Sequence, residues 1–508
     1  MGGMRTDGDG EAHDETGGAA PGDAPESAAK RRPRSRPWHA AVLALVLALA
    51  AALLVAVGPS EADAPPDAPT GRRWITDQGG RALVLRGLNT ASSAKDDPRG
   101  LPWITERDVR REYEGMGSNL VRFLLQWRAV EPRPGAYDDA YLDQVAERVR
   151  WYAKRGYRVL LDMHQDVYGP GTSGNGAPRW ATESDGLRAE RTDPWELGYV
   201  EPGALRAFDH FWGNRSASRD LRRHYAEAWR HVARRFADED AVLGYDLMNE
   251  PWGGSVQGPH FEAGPLAALY RQVIKAVRTV DRDHWIFVEP EAVSTNWGLP
   301  SALPYFEDPR GDGDRARIGY APHLYPLPMD LGGGYDGDTA RWVDRTLSSW
   351  RQQVERTARR LRAPVLLGEY GLNVSLPGAL EYVAKVERMA EEMGAGTAYW
   401  SNDPGSWAPW DAKGRPTPLL PVLDRPYPRA IAGDPKAYTW DAAARTLRVS
   451  WRGRADINGH TEIYLPKRTF PRGGRVTGAA VVKWDAGARV LTVRSVPGDQ
   501  AVTVTPKP

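Results

Sequence analysis

The 508 residues of this chain carry 67 Lys and Arg against 66 Asp and Glu, so the net charge is only +1. Without a basic excess, the chain is poorly suited to binding nucleic acid, and we expect no such partner. Cysteine is absent, which excludes disulfides, thiolate zinc sites and a cysteine nucleophile. The length exceeds that of one ordinary domain and predicts two or three units.

The first 71 residues differ in composition from the rest of the chain. Residues 1–37 are rich in Gly, Ala and charged residues and end in a basic cluster, which predicts a disordered basic region. Residues 38–58 contain an unbroken apolar run and predict either a cleaved export signal or an uncleaved membrane anchor. A Pro- and Ala-rich linker follows over 59–71. Either alternative predicts a protein that is secreted or anchored to the outer face of the cell membrane.

From residue 72 onward, short apolar runs alternate with amphipathic stretches of helical period. Apolar strands separated by helices indicate a parallel sheet that is covered on both faces. Eight such units predict an α/β fold, a closed (β/α)₈ TIM barrel over residues 72–428. The predicted strands are 83–88, 119–124, 158–163, 242–248, 285–289, 318–323, 364–368 and 396–400, and the clearest helices are 141–155, 220–236, 265–280, 340–362 and 378–393.

The helical period ends near residue 430. Beyond it, apolar and polar residues alternate in short runs that Gly and Pro separate. These runs are 446–451, 461–465, 479–484, 489–494 and 499–505. The pattern predicts a small C-terminal antiparallel β-sandwich over residues 429–508.

Polar and aromatic side chains follow the ends of the predicted barrel strands. In barrels of this type the reactive groups lie at the C-terminal ends of the strands, so we expect these side chains to meet at one face. In chain order they are Lys95, Arg122, Asp162, His164, Asn249, Glu250, His323, Tyr325, Glu369 and Trp400. Each residue alone is weak evidence, and their joint occurrence at successive strand ends carries the prediction.

Glu250 and Glu369 end non-adjacent strands and are expected to face each other across the mouth of the barrel. Two facing carboxylates suit glycoside hydrolysis, in which one protonates the leaving oxygen and the other acts from the opposite side of the sugar. The donor must keep its proton, which a neighbouring negative carboxylate favours. We expect Arg122 and Tyr325 to hydrogen-bond an ionised nucleophile and Asn249 to contact the sugar 2-hydroxyl.

Trp400 is expected to form a floor under the reacting sugar, because indole faces stack on sugar rings. Asp162, His164 and Asp166 are residue types that bind metals, but no third cluster with ligand chemistry accompanies them. We therefore expect neither a metal nor a cofactor.

Residues 75–428 resemble family 5 of the glycoside hydrolases. The resemblance lies in Arg122, His164, Asn249, Glu250, His323, Tyr325, Glu369 and Trp400, which match the eight active-site positions of that family. It implies hydrolysis with retention of configuration, with Glu250 as the general acid/base and Glu369 as the nucleophile.

Further segments resemble the endoglycoceramidases, which cut the β-bond between a sugar chain and ceramide. These segments are 85–89, 92–95, 161–166, 174–178, 207–212, 425–430 and 461–464. The resemblance implies a glycosphingolipid substrate, whose sugar next to the scissile bond would be bound by Lys95, Asp162 and His164.

The segment 167–216, between the third and fourth predicted strands, is unusually long and apolar. Long barrel loops are commonly functional, so its residues either line a groove for acyl chains or pack the loop onto the barrel. The candidates for the groove are Trp180, Leu197, Val200 and Phe208.

Two alternatives to this function remain. In the first alternative, the same catalytic residues act on a substrate with a different aglycone, and the protein is a steryl or ceramide β-glucosidase or a polysaccharide endo-hydrolase. An open cleft lined by Trp at both ends favours a polysaccharide, whereas a deep sugar pocket that opens into an apolar groove favours a glycolipid. The second alternative, a non-catalytic carbohydrate- or lipid-binding protein, has no need of both Glu250 and Glu369.

Overall fold

The structure, a computed structural model, describes residues 74–508. The predicted disordered region, signal or anchor, and linker lie outside the described residues. Among residues 74–508, no helix combines the length and the apolar character that crossing a membrane requires.

Eight parallel strands form a barrel, which confirms the fold predicted from the sequence. A two-residue strand, β1 (Ala82–Leu83), precedes the barrel strands, which are β2 (Arg86–Asn89), β3 (Leu120–Leu125), β4 (Arg158–Met163), β5 (Val242–Asp246), β6 (Trp285–Val288), β7 (Ile318–Tyr320), β8 (Leu366–Leu367) and β9 (Gly396–Tyr399). They are hydrogen-bonded in the order β7-β6-β5-β4-β3-β2-β9-β8. A parallel bridge between Tyr320 and Val365 joins β7 to the chain just before β8.

Helices cover the barrel because each presents an apolar stripe to the strands. They are α1 (Ser93–Asp96), α2 (Glu106–Met116), α3 (Trp127–Val130), α4 (Asp139–Ala153), α5 (Pro202–Trp212), α6 (Leu221–Phe236), α7 (Gly258–Phe261), α8 (Ala267–Arg278), α9 (Ala292–Thr295), α10 (Leu327–Asp330), α11 (Gly337–Leu361), α12 (Ala379–Met393) and α13 (Leu420–Leu423). Short 3₁₀-helices at Pro170–Thr172, Arg179–Ala181, Trp195–Val200 and Gly313–Arg315, and a π-helical turn at Glu262–Leu266, lie in the connections.

The inside of the barrel changes from apolar to polar along the strand direction. Leu120, Leu160, Phe287, Ala321 and Ala398 share one buried apolar cluster within the barrel. Side chains two residues apart on a strand point to the same side, so the next inward layer is Arg122, Asp162, Glu289, His323 and Trp400. The period of the strands therefore places the polar residues directly above an apolar plug.

The C-terminal strands form two antiparallel sheets around a separate apolar core, as the β-sandwich prediction requires. They are β10 (Tyr427–Ile431), β11 (Gly433–Asp441), β12 (Thr446–Gly453), β13 (Thr461–Tyr464), β14 (Gly474–Thr477), β15 (Val481–Asp485), β16 (Val490–Val493) and β17 (Gly498–Pro506). One sheet has the order β1-β10-β13-β16-β15 and the other β11-β12-β17-β14. The strand β10 runs through residues 428 and 429, and a domain division at that point stays a prediction.

Candidate active site

A cavity of about 510 Å³ opens at the C-terminal ends of the barrel strands. Of the ten predicted site residues, five line this cavity and five lie behind its wall. The lining residues are Lys95, Glu250, Tyr325, Glu369 and Trp400. The residues behind the wall are Arg122, Asp162, His164, Asn249 and His323, each of them buried.

Glu369 is surrounded by hydrogen-bond donors. Arg122 donates from Nη1 to Oε1 at 2.6 Å, and the Tyr325 hydroxyl donates to Oε2 at 3.2 Å. Burial raises the pKa of Glu369 above its ordinary value, and the positive charges of His323 and Arg122 reduce this rise without cancelling it. The residue before it must be Gly368, because a Cβ atom there would lie 2.8 Å from Nε2 of His323.

Arg122 is fully buried and joins the polar residues of several strands. Its guanidinium contacts Asp246 at 2.8 Å, Asn89 at 3.0 Å, Glu369 at 2.6 Å, Asn249 at 2.9 Å, Glu289 at 2.9 Å and Asp162 at 3.0 Å. A buried guanidinium is tolerated only when its N–H groups and its charge are matched in this way. Arg122 thus supplies the positive charge among these carboxylates and fixes the orientation of Glu369.

The backbone at Glu250 adopts a left-handed conformation, with φ of 44°. That region is unfavourable for a residue with a Cβ atom and persists only where neighbours enforce it. Gln165 donates from Nε2 to the carbonyl oxygens of both Asn249 and Glu250 at 2.9 Å. The Glu250 N–H in turn donates to Glu289 at 2.8 Å. These bonds hold the turn that directs Glu250 into the cavity.

The Glu250 carboxylate has two side-chain partners. Asn296 donates to Oε1 at 2.8 Å, and Nδ1 of His323 lies 3.1 Å from the same oxygen. Burial raises the pKa of Glu250, but the hydrogen bond and charge of His323 outweigh it, and the pKa is lowered. Burial lowers the pKa of His323, yet Glu289 and Glu369 raise it well above its ordinary value.

This result differs from the expected raised pKa of the donor. The expectation took account of the negative charge of Glu369 but not of a protonated imidazole in contact with Glu250. The lowered pKa of Glu250 and the raised pKa of His323 therefore favour His323 as the group that carries the proton of this pair.

The two carboxylates are close together. One oxygen of Glu250, one oxygen of Glu369 and one ring nitrogen of His323 all lie within 4.8 Å of one another. Inverting glycosidases separate their carboxyl groups by about 6.5–9.5 Å to hold a water molecule, whereas retaining enzymes need about 5–5.5 Å. The arrangement therefore fits direct attack on a sugar by one carboxylate.

One side of the cavity is polar. Lys95 contacts Asp166 at 2.8 Å and lies 4.2 Å from the centre of the Trp400 ring. The His164 ring stacks on Trp400 at 5.7 Å. An aromatic face flanked by a lysine and a carboxylate suits a sugar ring with its hydroxyl groups.

The roles predicted for Asp162 and Asn249 in sugar binding stay predictions. Asp162 is fully buried behind this wall, 2.7 Å from Nδ1 of His164 and 3.0 Å from Arg122, and Asp166 faces the cavity instead. Asn249 binds Arg122 through Oδ1 and the Gln165 carbonyl through Nδ2, so its contact with a 2-hydroxyl stays a prediction.

The lining of the cavity also includes six aliphatic residues, which are Leu197, Val200, Val293, Leu327, Met329 and Leu331. Two of the four candidates from the long loop, Leu197 and Val200, are among them. Trp180 instead donates from Nε1 to the Glu131 carbonyl, and Phe208 packs against Tyr168. For these two residues, packing of the loop onto the barrel is the correct explanation.

Several residues of the site were not predicted. They are Asn89, Gln165, Asp246, Glu289 and Asn296, which hold Arg122 or Glu250 in place. Glu289 ends the predicted strand 285–289, so the argument from strand ends was sufficient to find it. Asn296 lies beyond a strand end, directly after the short helix α9, and no sequence pattern marks it.

Residues 76–406 match the cellulase family (glycosyl hydrolase family 5), and residues 425–505 match the glycoside hydrolase family 5 C-terminal domain. The chain belongs to glycosyl hydrolase family 5. Among members of the family, endoglycoceramidase I of Rhodococcus hoagii (strain 103S) is 30% identical over 441 residues, which cover 82% of this chain and 84% of that protein.

Several solved structures are also similar to this chain. Endo-glycoceramidase II from Rhodococcus sp. has 51% identity and a TM-score of 0.82, covering 86% of this chain and 100% of that one. Structures of the same protein include a ganglioside GM3 complex and a lactosyl-enzyme intermediate. An endogalactoceramidase structure shares the fold. It is 24% identical, with a TM-score of 0.67, and the match covers 86% of this chain and 98% of that one.

Proposed function

We propose that this protein is a retaining endo-β-glycosidase that hydrolyses the bond between the glycan and ceramide of glycosphingolipids. The observation that carries the proposal is the Glu250–Glu369 pair, with oxygens within 4.8 Å, set in a cavity whose lining combines polar and aliphatic side chains. The cleavage point then lies between a bound sugar and a bound lipid.

In the first step, Glu369 attacks the anomeric carbon while Glu250 protonates the glycosidic oxygen, and ceramide leaves with that proton. A covalent glycosyl-enzyme results. In the second step, Glu250 removes a proton from water, which attacks the anomeric carbon and releases Glu369. Two inversions at the same carbon give net retention.

His323 supports the acid step. Its Nδ1 lies 3.1 Å from Oε1 of Glu250, and its raised pKa favours the protonated imidazole, so the pair together contains the proton that the leaving oxygen needs. A sugar ring in the cavity displaces water from Glu250 and so disfavours its charged form. Substrate binding therefore favours transfer of the proton from His323 to Glu250.

The endoglycoceramidases that resemble this chain support the choice of a ceramide aglycone, as do the GM3 complex and the lactosyl-enzyme intermediate of the Rhodococcus sp. protein. Five tryptophans line the cavity, Trp195, Trp252, Trp297, Trp400 and Trp407, and their stacking surfaces favour the polysaccharide alternative. The six aliphatic residues of the lining offer no such surface, and together with the endoglycoceramidase relatives they lead us to prefer the lipid.

A panel of substrates tests the proposal. It contains glycosphingolipids with two or more sugars, glucosylceramide, a steryl glucoside and a β-glucan, each incubated with the full chain at fixed detergent. We expect an intact oligosaccharide and free ceramide from the glycosphingolipids, identified by mass. Release of glucose from the steryl glucoside or of short oligosaccharides from the β-glucan, with the glycosphingolipids intact, would overturn the proposal.

We also propose that the protein is secreted or anchored to the outer face of the cell membrane, with membrane association through residues 38–58. The support is the order of a basic cluster and an apolar run in the sequence. The mass of the protein isolated from the producing cells tests this proposal. Loss of the apolar run, or its retention in the membrane fraction, would support it, and recovery of the whole chain from the cytosol would overturn it.

A further inference from the structure

The segment 291–302 follows β6 and forms part of the cavity wall. Four of its residues line the cavity, which are Ala292, Val293, Asn296 and Trp297. Asn296 directly follows α9 and donates from Nδ2 to Oε1 of Glu250 at 2.8 Å. The position of this segment therefore determines whether the Glu250 carboxylate has that hydrogen bond.

One buried carboxylate, that of Glu262, binds both ends of this segment. Its Oε1 accepts a hydrogen bond from the N–H of Glu291 at 2.8 Å, and its Oε2 accepts one from the N–H of Ala302. Glu262 is buried at the start of the π-helical turn (Glu262–Leu266), 29 and 40 positions from these two residues along the chain. Such π-helical turns are frequent at functional sites.

The far end of the segment is also attached to the outer layer of helices. Arg360 of α11 donates to the carbonyl oxygen of Ser301 at 2.6 Å and to that of Leu303 at 2.8 Å. Ala302 lies between these two anchored residues. Through its second oxygen, Glu262 therefore joins the beginning of the segment, next to Asn296, to an end that α11 holds in place.

Only a carboxylate offers two acceptor oxygens without a donor. A glutamine at position 262 has one acceptor, so one of the two N–H groups would be buried without a partner, which is unfavourable. The neighbouring Glu291 side chain uses a single acceptor, because Oε2 accepts from the Gly258 N–H at 2.7 Å while Oε1 has no hydrogen-bond partner within residues 74–508. Burial and the charge of Glu262 raise the pKa of Glu291 to about 8, so at neutral pH its protonated carboxyl resembles an amide.

We infer that Glu262 is a positioning residue for the acid step, because it holds both ends of the segment 291–302 and so keeps Asn296 against Glu250. This inference rests on the proposed role of Glu250 as the general acid. A general acid must lie within hydrogen-bond reach of the leaving oxygen, so a carboxyl group that loses one of its two partners transfers its proton less efficiently. A good leaving group needs little protonation, and its departure is insensitive to that loss.

Two aryl lactosides, one with a phenyl and one with a dinitrophenyl leaving group, test the inference. Glu262→Gln should lower kcat/KM about tenfold on the phenyl lactoside and less than about threefold on the dinitrophenyl lactoside, because only the poor leaving group depends on proton transfer. Glu291→Gln makes the same chemical change in a neighbouring buried carboxyl, keeps the one acceptor used there, and should retain both rates. Equal losses on the two lactosides by Glu262→Gln, or no loss on either, would overturn the inference.

A double-mutant cycle tests whether Asn296 carries the effect. Asn296→Ala removes the hydrogen bond to Glu250 directly and should show the same dependence on the leaving group. If Glu262 acts through Asn296, adding Glu262→Gln to Asn296→Ala should cause no further loss that depends on the leaving group. Losses that multiply independently would contradict this route.

Hydrogen exchange of the wild-type full chain needs no variant and decides the matter even if Glu262→Gln fails to fold. We expect slow exchange at the backbone N–H groups of both Glu291 and Ala302, and exchange at Ala302 as fast as in an unfolded chain would overturn the inference. Neither lactoside contains ceramide. A wild type that cleaves both lactosides but no ceramide-linked glycan would therefore overturn the proposed function and leave the test of Glu262 intact.

Discussion

At the scale of single residues, the two carboxylates differ in the groups that surround them. Glu369 accepts hydrogen bonds from Arg122 and Tyr325, which favours an ionised carboxylate ready to attack. Glu250 contacts His323 and Asn296 instead. The group that shares a proton with Glu250 is thus the imidazole of His323, which also contacts Glu289 at 3.3 Å.

Glu369→Gln should lower kcat by a factor on the order of 10³ or more, because a neutral amide neither attacks the anomeric carbon nor stabilises its positive charge. The measurement is the initial rate on a glycosphingolipid and on an aryl glycoside. Glu190→Gln, in which an exposed cavity-lining carboxylate changes in the same way, is the control and should keep most activity. Near-normal turnover by Glu369→Gln would rule out its role as nucleophile.

Glu250→Ala should lose most activity on lipid substrates and much less on aryl glycosides with good leaving groups, which need little protonation. Azide added to this variant should accelerate the second step and give a glycosyl azide of retained configuration. Kinetics on both substrate types, with product analysis by NMR, check the prediction. Equal losses on the two substrate types would speak against Glu250 as the acid.

The sequence predicted the two facing carboxylates but not all of the residues that hold them in place. Glu250 and Glu369 follow from the rule that strand ends meet at one face, which depends only on the fold. Asp166 lines the cavity and Asp162 does not, and this depends on the path that the chain takes after β4. The period of the sequence does not predict that path. The lowered pKa of Glu250 depends on the contact with His323, which comes from another strand.

At the scale of elements, the 3₁₀-helix Trp195–Val200 determines the apolar side of the cavity. The sequence predicted an apolar loop but not which of its residues face the groove. Composition alone does not separate Leu197, which lines the cavity, from Phe208, which packs in α5 against Tyr168. The outcome depends on the direction of each side chain after the loop has folded.

Leu197→Asn should lower kcat/KM on ceramide substrates by about tenfold or more, relative to its effect on a short aryl glycoside. The change removes apolar contact with the aglycone, and each buried CH₂ contributes about 0.8 kcal/mol. Both substrates are compared at one detergent concentration, because micelles compete for the lipid. The control is Val481→Asn in the sandwich, and a Leu197→Asn effect that is equal on both substrates would refute an acyl-chain groove here.

The helix α2 carries a buried acid, Glu112, next to Tyr157 and Asn402. Burial raises the pKa of Glu112 from 4.5 to about 8. Between these values the unfolded chain releases the proton while the folded chain keeps it, so the group's contribution to stability falls as pH rises through this window. Each pH unit corresponds to at most about 1.4 kcal/mol.

Glu112→Gln, which does not ionise, should therefore gain thermal stability relative to wild type as the pH is raised from 5 to 8. Melting temperatures of both proteins across this range test the prediction. A difference in Tm that does not change with pH would show that Glu112 keeps its ordinary pKa.

At the scale of the whole molecule, the barrel and the sandwich are joined by strand pairing and by side-chain contacts. The predicted first strand, 83–88, is divided, since β1 pairs with β10 of the sandwich and β2 begins the barrel. Arg86 contacts Glu391 of α12 and Tyr438 of β11. A continuous apolar run contains no signal for the point at which the chain passes from one sheet to the next.

The sandwich strands with strict alternation, such as β12, were predicted, while β10, β11 and β14 were not. Most residues of β11 are at least partly exposed, and Pro435 interrupts its pattern. Strands at the edge of a sheet tolerate proline and polar residues, so their sequences lose the alternation that marks a buried strand.

The measurement that tests the central claim most directly is time-resolved proton NMR of the first turnovers on lactosylceramide. The account predicts that intact lactose is released, because the enzyme cuts only the bond to ceramide. It also predicts that the β-anomer of lactose appears before mutarotation produces the α-anomer, because the reaction retains the configuration. Initial appearance of the α-anomer would contradict retention by Glu250 and Glu369, and release of galactose ahead of glucose would contradict cleavage at the ceramide bond.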